Sequence, residues 1–136
     1  MTQQIPSFDE IADDFAFIDD WDEKYRYLID LGRRLPPLTD EERTEDTRVR
    51  GCASQVWLVF DETGEKVTFR GDSDAAIVKG LVALMISLFS GQEKSAVAAL
   101  NAEEKLAEID LKEHITPQRS NGVVSMIKRI KAEAAT

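Results

Sequence analysis

Residues 55–89 read QVWLVFDETGEKVTFRGDSDAAIVKGLVALMISLF, and this stretch decides the fold class. The run at 55–60 is continuously apolar, β-branched and aromatic, and the run at 66–70 alternates in polarity, so both predict strands. The turn residues at 62–64 between them predict a hairpin. We expect the first strand to be buried on both faces and the second on one, with residues 47–50 as a candidate third strand.

The apolar segment 75–89 predicts a helix at the centre of the molecule, because it is apolar nearly all round. It is 15 residues long with Lys79 inside it, which is short of the roughly 17–25 residues of a membrane-spanning helix. The preceding GDSD predicts the helix start, with Asp72 or Ser73 as the N-cap and Asp74 in the first turn.

Helices are predicted on both sides of this unit. Apolar residues recur at steps of three and four across 8–18, and a second helix, capped by Asp20, ends before a proline pair. Residues 92–108 predict one or two short helices, and the last helix has Thr116 as its N-cap and Pro117 at its first position. This order predicts an α+β fold in which helices cover a small antiparallel sheet.

Composition narrows the class of protein. The 136 residues contain no linker, repeat or low-complexity tract, so we expect a single domain over 1–136. The chain has 17 Lys and Arg against 26 Asp and Glu, a formal net charge of −9. This balance excludes nucleic acid as the main partner, since phosphates need clustered cations. Without a secretory signal, and with one cysteine that cannot form an internal disulfide, a cytoplasmic location is expected.

Cys52 is the only cysteine and stands in VRGCASQVWL, residues 49–58, among small residues typical of a loop beside a strand. A cysteine reacts as the thiolate. Arg48 and Arg50 would raise the thiolate fraction if they turn toward the sulfur, whereas burial would lower it, and the sequence leaves both outcomes open. Position alone favours an inert, packed side chain, whereas the small neighbouring residues favour a reactive one on a loop.

The other polar residues are weaker candidates for a functional site. His114 is the only histidine, so it and Cys52 cannot supply the roughly four ligands of a closed zinc or iron–sulfur site. A local hydrogen bond explains this histidine more simply than catalysis does. Arg119 falls in the first turn of the last helix, where the dipole disfavours a cation, which indicates a function or a specific ion pair. The acids Asp72 and Asp74 indicate capping rather than a metal.

Three blocks in the chain closely resemble the SufE family of sulfur-acceptor proteins. They are RGCASQVWL at 50–58, RGDSDAAIVKGL at 70–81 and HITPQRSNG at 114–122, and the likeness runs from about residue 8 to residue 132. The resemblance implies the α+β fold of the cluster-scaffold protein IscU, but with no cluster, metal or cofactor held by the protein itself. The expected domain core is therefore about 8–132.

The resemblance also implies an activity. The reactive cysteine of the family falls on Cys52, which would take persulfide sulfur from a pyridoxal-phosphate cysteine desulfurase of the SufS or CsdA type. The protein would stimulate that enzyme and pass the sulfur to a downstream Fe–S scaffold complex, with its thiol sheltered on a loop until docking. Arg119, Asp74 and Gly51 become candidates for the partner interface, and Arg119 for favouring an anionic sulfur.

Two other classes of function stay open at this point. A thiol-dependent hydrolase built on Cys52 and His114 would turn over an ester or peptide without any partner protein. A non-catalytic adaptor would bind a desulfurase through its acidic surface, and it would still stimulate the enzyme after Cys52→Ser.

Overall fold

The computed structural model describes residues 5–61 and 64–136. Within them, six helices surround a three-stranded antiparallel sheet, so the predicted α+β class is confirmed. In chain order the elements are α1 (Phe8–Phe17), α2 (Trp21–Arg33), β1 (Val56–Asp61), β2 (Lys66–Ser73), α3 (Ala76–Phe89), β3 (Gln92–Glu93), α4 (Lys94–Ala99), α5 (Ala102–Ala107) and α6 (Pro117–Ala134). Short 3₁₀ turns lie at Asp40–Glu42 and Leu111–His114.

β1 and β2 form the predicted hairpin, with Cα pairs running from Val56 opposite Ser73 to Asp61 opposite Thr68. Residues 62–63 of the predicted turn lie outside the described residues. The third strand, β3, pairs with the other edge of β2, so the strand order is β1-β2-β3.

The prediction of a third strand at 47–50 is wrong. Within the described residues this segment makes one isolated bridge, Arg48 opposite Trp57, because the chain then turns away at Gly51, whose φ is +92°. The third strand instead follows α3. Gly91, with a φ of +84°, turns the chain back, and its N–H donates to the Val67 carbonyl at 2.7 Å. A left-handed turn of this kind favours glycine at both places.

α3 is the central helix that the sequence predicts, since 10 of its 14 residues are buried. It packs against β2 and against α2. Two glycines permit the close approach of α2 and α3. A Cβ on Gly80 would lie 2.3 Å from the Leu28 carbonyl oxygen, and a Cβ on Gly32 would lie 2.6 Å from the Cβ of Lys79. Among the described residues, no helix combines the length and apolarity needed to cross a membrane.

The predicted start of α3 is wrong in detail. β2 continues through Ser73, and α3 begins at Ala76 with Ala75 as an N-cap that makes no side-chain hydrogen bond. Neither Asp72 nor Ser73 is the cap, and Asp74 precedes the first turn rather than lying in it. The local capping signal is overridden because these residues are needed in the sheet.

The Asp72 carboxylate is held by ion pairs instead of capping a helix. It is buried, lies 2.8 Å from the Arg43 guanidinium and 3.6 Å from the Lys79 ammonium, and accepts the Ser73 N–H at 2.8 Å. Burial works to raise the pKa of Asp72, but these hydrogen bonds and charges outweigh it and hold the pKa below its usual range.

β1 is not buried on both faces as predicted. Val56 and Leu58 are buried against the core, whereas Trp57 and Val59 on the opposite face are half-buried. On that outer face the Arg43 guanidinium lies 5.7 Å from the centre of the Trp57 ring. A continuous apolar run does not reveal that a charged side chain lies over one face.

The Glu42 carboxylate is expected to make the stability of the fold depend on pH in the acid range. Its hydrogen bonds with Arg70 and with the Thr39 backbone lower the pKa of Glu42 from 4.5 to about 2. Because the folded pKa is depressed, we expect the Glu42 contribution to stability to be full above pH 4.5 and lost as the pH falls toward about 2. Urea unfolding at several pH values measures this contribution. Over this range the free energy of unfolding should fall less steeply in Glu42→Gln than in the wild type. An unchanged slope would contradict the assignment.

The flanking helices begin where the sequence predicts. Ser7 and Glu10 form a capping box at α1, and the Asp20 carboxylate accepts the Glu23 N–H at the start of α2. Thr116 caps α6, and Pro117 is its first residue. The two short helices predicted after the central helix are α4 and α5.

Candidate functional site

The loop that carries Cys52 is seated directly on α6. The half-buried thiol approaches the Gly122 carbonyl oxygen at 3.6 Å, the distance of a weak S–H···O hydrogen bond. The preceding residue, Gly51, has a φ of +92°, and a Cβ there would lie 2.4 Å from the Ser125 hydroxyl oxygen. Glycine is therefore needed at position 51 for both its backbone conformation and its contact with α6.

A small cavity of about 20 Å³ adjoins Cys52, with room for about one water-sized group. Its walls come from the loop (Cys52, Ala53, Ser54), from α3 (Val78, Leu81) and from α6 (Gln118, Arg119, Gly122, Met126). A Cβ on Gly122 would lie 3.4 Å from Sγ, so any larger side chain would enter the space beside the sulfur. The site is a thiol beside a cavity with room for about one additional atom.

Burial decides the protonation of the thiol. It raises the pKa of Cys52, and the positive charge of Arg48 lowers it by less, so the resting thiol is largely protonated at neutral pH. Arg50 is paired with Glu45 at 3.2 Å on the surface instead. Of the two outcomes that the sequence left open, burial therefore outweighs the arginines.

Arg119 is part of the wall of the cavity that adjoins Cys52. Its backbone N–H donates to the Thr116 hydroxyl at 3.2 Å, and it is exposed in the first turn of α6. Within the described residues its side chain has no ion-pair or hydrogen-bond partner. The structure thus places Arg119 in the wall of the cavity that Cys52 also lines.

Asp74 lies near the loop but outside the cavity. Its carboxylate accepts the Gln55 N–H at 3.1 Å, and its own N–H donates to the Gln55 carbonyl at 3.3 Å. Asp74 therefore fixes the chain three residues after Cys52, where the loop enters β1. Its exposed position keeps it a candidate for the interface and not for direct contact with the sulfur.

His114 is engaged away from the cysteine. Its ring stacks on Trp21 with centroids 4.1 Å apart and an interplanar angle of 9°, and Nδ1 lies 3.1 Å from the Asp110 carbonyl oxygen. Among the described residues, His114 is not part of the cavity beside Cys52. These contacts favour a local structural role for the histidine over a Cys–His pair. No group of three or more candidate metal ligands gathers in the described part of the chain.

Sequence reasoning missed three residues of α6 that hold the loop: Gly122, Ser125 and Arg129. Glycine inside a helix costs about 1 kcal/mol relative to alanine, so Gly122 carried a signal of close packing. Arg129 carried none, because its place near the end of a helix is already explained by the helix dipole.

Comparison with known families decides the family of the chain. Residues 9–134 match the sequence model of SufE, described as the Fe-S metabolism associated domain. The chain belongs to the SufE family. The resemblance that was carried by three sequence blocks is thus confirmed over nearly the whole chain.

The match between this SufE-family protein and its relatives covers most of both chains. An uncharacterized SufE-like protein of Rhizobium etli is 52% identical over 132 residues, covering 94% of this chain and 89% of its own. Another, of Rhizobium meliloti, is 49% identical over 132 residues, with 94% of each covered. The solution structure of a hypothetical protein from Thermus thermophilus superposes with a TM-score of 0.74 over 94% of this chain and 93% of its own. At 21% identity it supports the fold alone.

Proposed function

We propose that this SufE-family protein is a sulfur carrier that takes persulfide sulfur from a cysteine desulfurase onto Cys52, stimulates that enzyme and delivers the sulfur for iron–sulfur cluster assembly. The Cys52 thiolate attacks the terminal sulfur of the donor persulfide, a new S–S bond forms, and the donor cysteine leaves as a thiolate. An acceptor thiolate later attacks the terminal sulfur of the Cys52 persulfide and releases the Cys52 thiolate. No net oxidation occurs.

One observation carries the proposal: the only thiol in the chain is half-buried beside a pocket of about 20 Å³. A carrier needs one nucleophilic sulfur and space for a second sulfur atom, and it benefits from shelter against oxidation between transfers. Arg119 in the cavity wall is suited to an anionic thiolate or persulfide. Membership of a family associated with Fe–S metabolism supports the same class of chemistry.

The partners follow from this reaction. The donor is a pyridoxal-phosphate cysteine desulfurase of the SufS or CsdA type, and the acceptor is an Fe–S scaffold complex. We propose that the whole chain acts as one SufE-like domain, in the cytoplasm, where a free thiol stays reduced. The pyridoxal phosphate belongs to the donor. Asp74, which holds the exit of the Cys52 loop, and Gly51 are proposed to lie in the docking surface with Arg119.

The test is the intact mass of the protein after incubation with a desulfurase and cysteine in the absence of reductant. We expect an adduct of one sulfur atom that is removed by a thiol reductant and is missing in Cys52→Ser. A protein that gains no sulfur while the desulfurase turns over would refute the carrier. Hydrolysis of an ester or peptide by the isolated protein would instead favour the thiol hydrolase, for which the contacts of His114 offer no support.

A further inference from the structure

The segment that leads to Cys52 is held from two sides. On one side it pairs with β1: the Thr47 carbonyl accepts the Leu58 N–H at 2.9 Å, and the Val49 N–H donates to the Val56 carbonyl at 2.8 Å. Just before this pairing, residues 45–47 form a turn in which the Arg48 N–H donates to the Thr44 carbonyl at 3.0 Å. Among the described residues, the carbonyls of Asp46 and Arg48 make no backbone hydrogen bond to β1.

Arg129 of α6 binds both of these carbonyls. Its Nη1 donates to the Arg48 carbonyl at 3.1 Å, and its Nη2 donates to the carbonyl of Asp46. The planar guanidinium offers two parallel N–H groups, which match two carbonyls that are two residues apart. The half-buried Arg129 side chain thus ties the segment before Cys52 to α6.

The contacts of Arg129 continue along one face of α6. Gly122, Ser125 and Arg129 stand at positions i, i+3 and i+7, so they share one side of the helix. Gly122 lies against Cys52, and Ser125 lies against Gly51. Gly122 and Ser125 are small enough for the loop to contact α6 closely. Arg129 adds two charged hydrogen bonds to the segment that precedes the loop.

We propose that Arg129 is a positioning residue that latches the Cys52 loop onto α6 and so sets how far the thiol is sheltered from solvent. Loss of the two hydrogen bonds frees the carbonyls of the segment, and the loop opens more often away from α6. In the open form Cys52 leaves its cavity and its contact with Gly122. The consequence for sulfur transfer rests on the proposed function, but the latch itself does not.

The test is the rate of Cys52 alkylation by iodoacetamide, measured against pH on the isolated full chain. Arg129→Gln is expected to react on the order of tenfold faster at a fixed pH, since about that change in the open fraction follows from losing hydrogen bonds to a charged group. Burial raises the pKa of Cys52 in the closed loop. In Arg129→Gln the pH at the midpoint of the rate profile should therefore fall toward about 8.5, the ordinary pKa of a cysteine thiol.

Lys128→Gln is the matched control, because it removes the same charge from the exposed neighbouring residue of α6. We expect its rate profile to equal that of the wild type. A profile for Arg129→Gln that coincides with that of Lys128→Gln would overturn the proposal. Far-UV circular dichroism verifies that each variant is folded.

Arg129→Lys decides the question if Arg129→Gln does not fold. Lysine keeps the charge but lacks the planar fork, so it cannot hold both carbonyls in the same geometry. We expect alkylation several-fold faster than in the wild type, by the same reasoning on lost hydrogen bonds. A wild-type rate in this folded variant would overturn the latch.

The alkylation test of the latch is independent of the test of the proposed function, because the reaction with iodoacetamide needs no desulfurase. Faster alkylation of Arg129→Gln combined with no sulfur adduct on the wild type would uphold the latch and refute the carrier. A sulfur adduct on the wild type with identical alkylation profiles would do the reverse.

Discussion

Cys52→Ser is expected to reduce desulfurase turnover to the rate of the desulfurase alone while leaving the binding of the two proteins unchanged. A serine hydroxyl is a weak nucleophile unless a general base lies beside it. The only histidine of the chain stacks on Trp21 and takes no part in the cavity of the described structure. The variant protein therefore has no group that can accept the sulfur.

The serine variant is also the mildest change available at this position. Its hydroxyl can donate to the Gly122 carbonyl as the thiol does, so the loop should keep its seat on α6. The measurement is sulfide or alanine production by a desulfurase with cysteine and reductant, titrated with wild type or Cys52→Ser. A binding titration of the same variant is the control. Stimulation by the variant at the wild-type level would make the protein an adaptor and not a carrier.

Gly80→Ala is expected to destabilise the fold by roughly 3 kcal/mol, at the upper end of the range for overpacked cores. The new Cβ would lie 2.3 Å from the oxygen and 2.7 Å from the carbon of the Leu28 carbonyl. Both are backbone atoms of α2, so no side chain can rotate away and the two helices must separate. The gain in helix propensity from alanine, about 1 kcal/mol, is too small to offset this.

Gly91→Ala is the matched control for this prediction. A Cβ on Gly91 meets nothing within 4 Å, so alanine there costs only the strain of a φ of +84°, about 1–2 kcal/mol. Urea unfolding of both variants gives the comparison. A loss in Gly80→Ala no greater than that in Gly91→Ala would show that α2 and α3 do not meet as closely as described.

Short-range features of this protein follow from the sequence because they depend on neighbours in the chain. The caps Asp20 and Thr116, the pairing of β1 with β2 and the buried α3 are all set by residues within about twenty positions of one another. For Cys52, the sequence identified the one thiol available for chemistry. Its burial, however, depends on α6, some seventy residues further along the chain.

The sequence by itself determined the α+β class and the central helix, since each follows from local hydrophobic periodicity and strand patterning. Only the tertiary structure decided that Asp72 forms an ion pair with Arg43, and that Arg129 holds the carbonyls before Cys52. In each case a charged group meets a partner distant in sequence. Such a contact exists only after the helices and the sheet have packed.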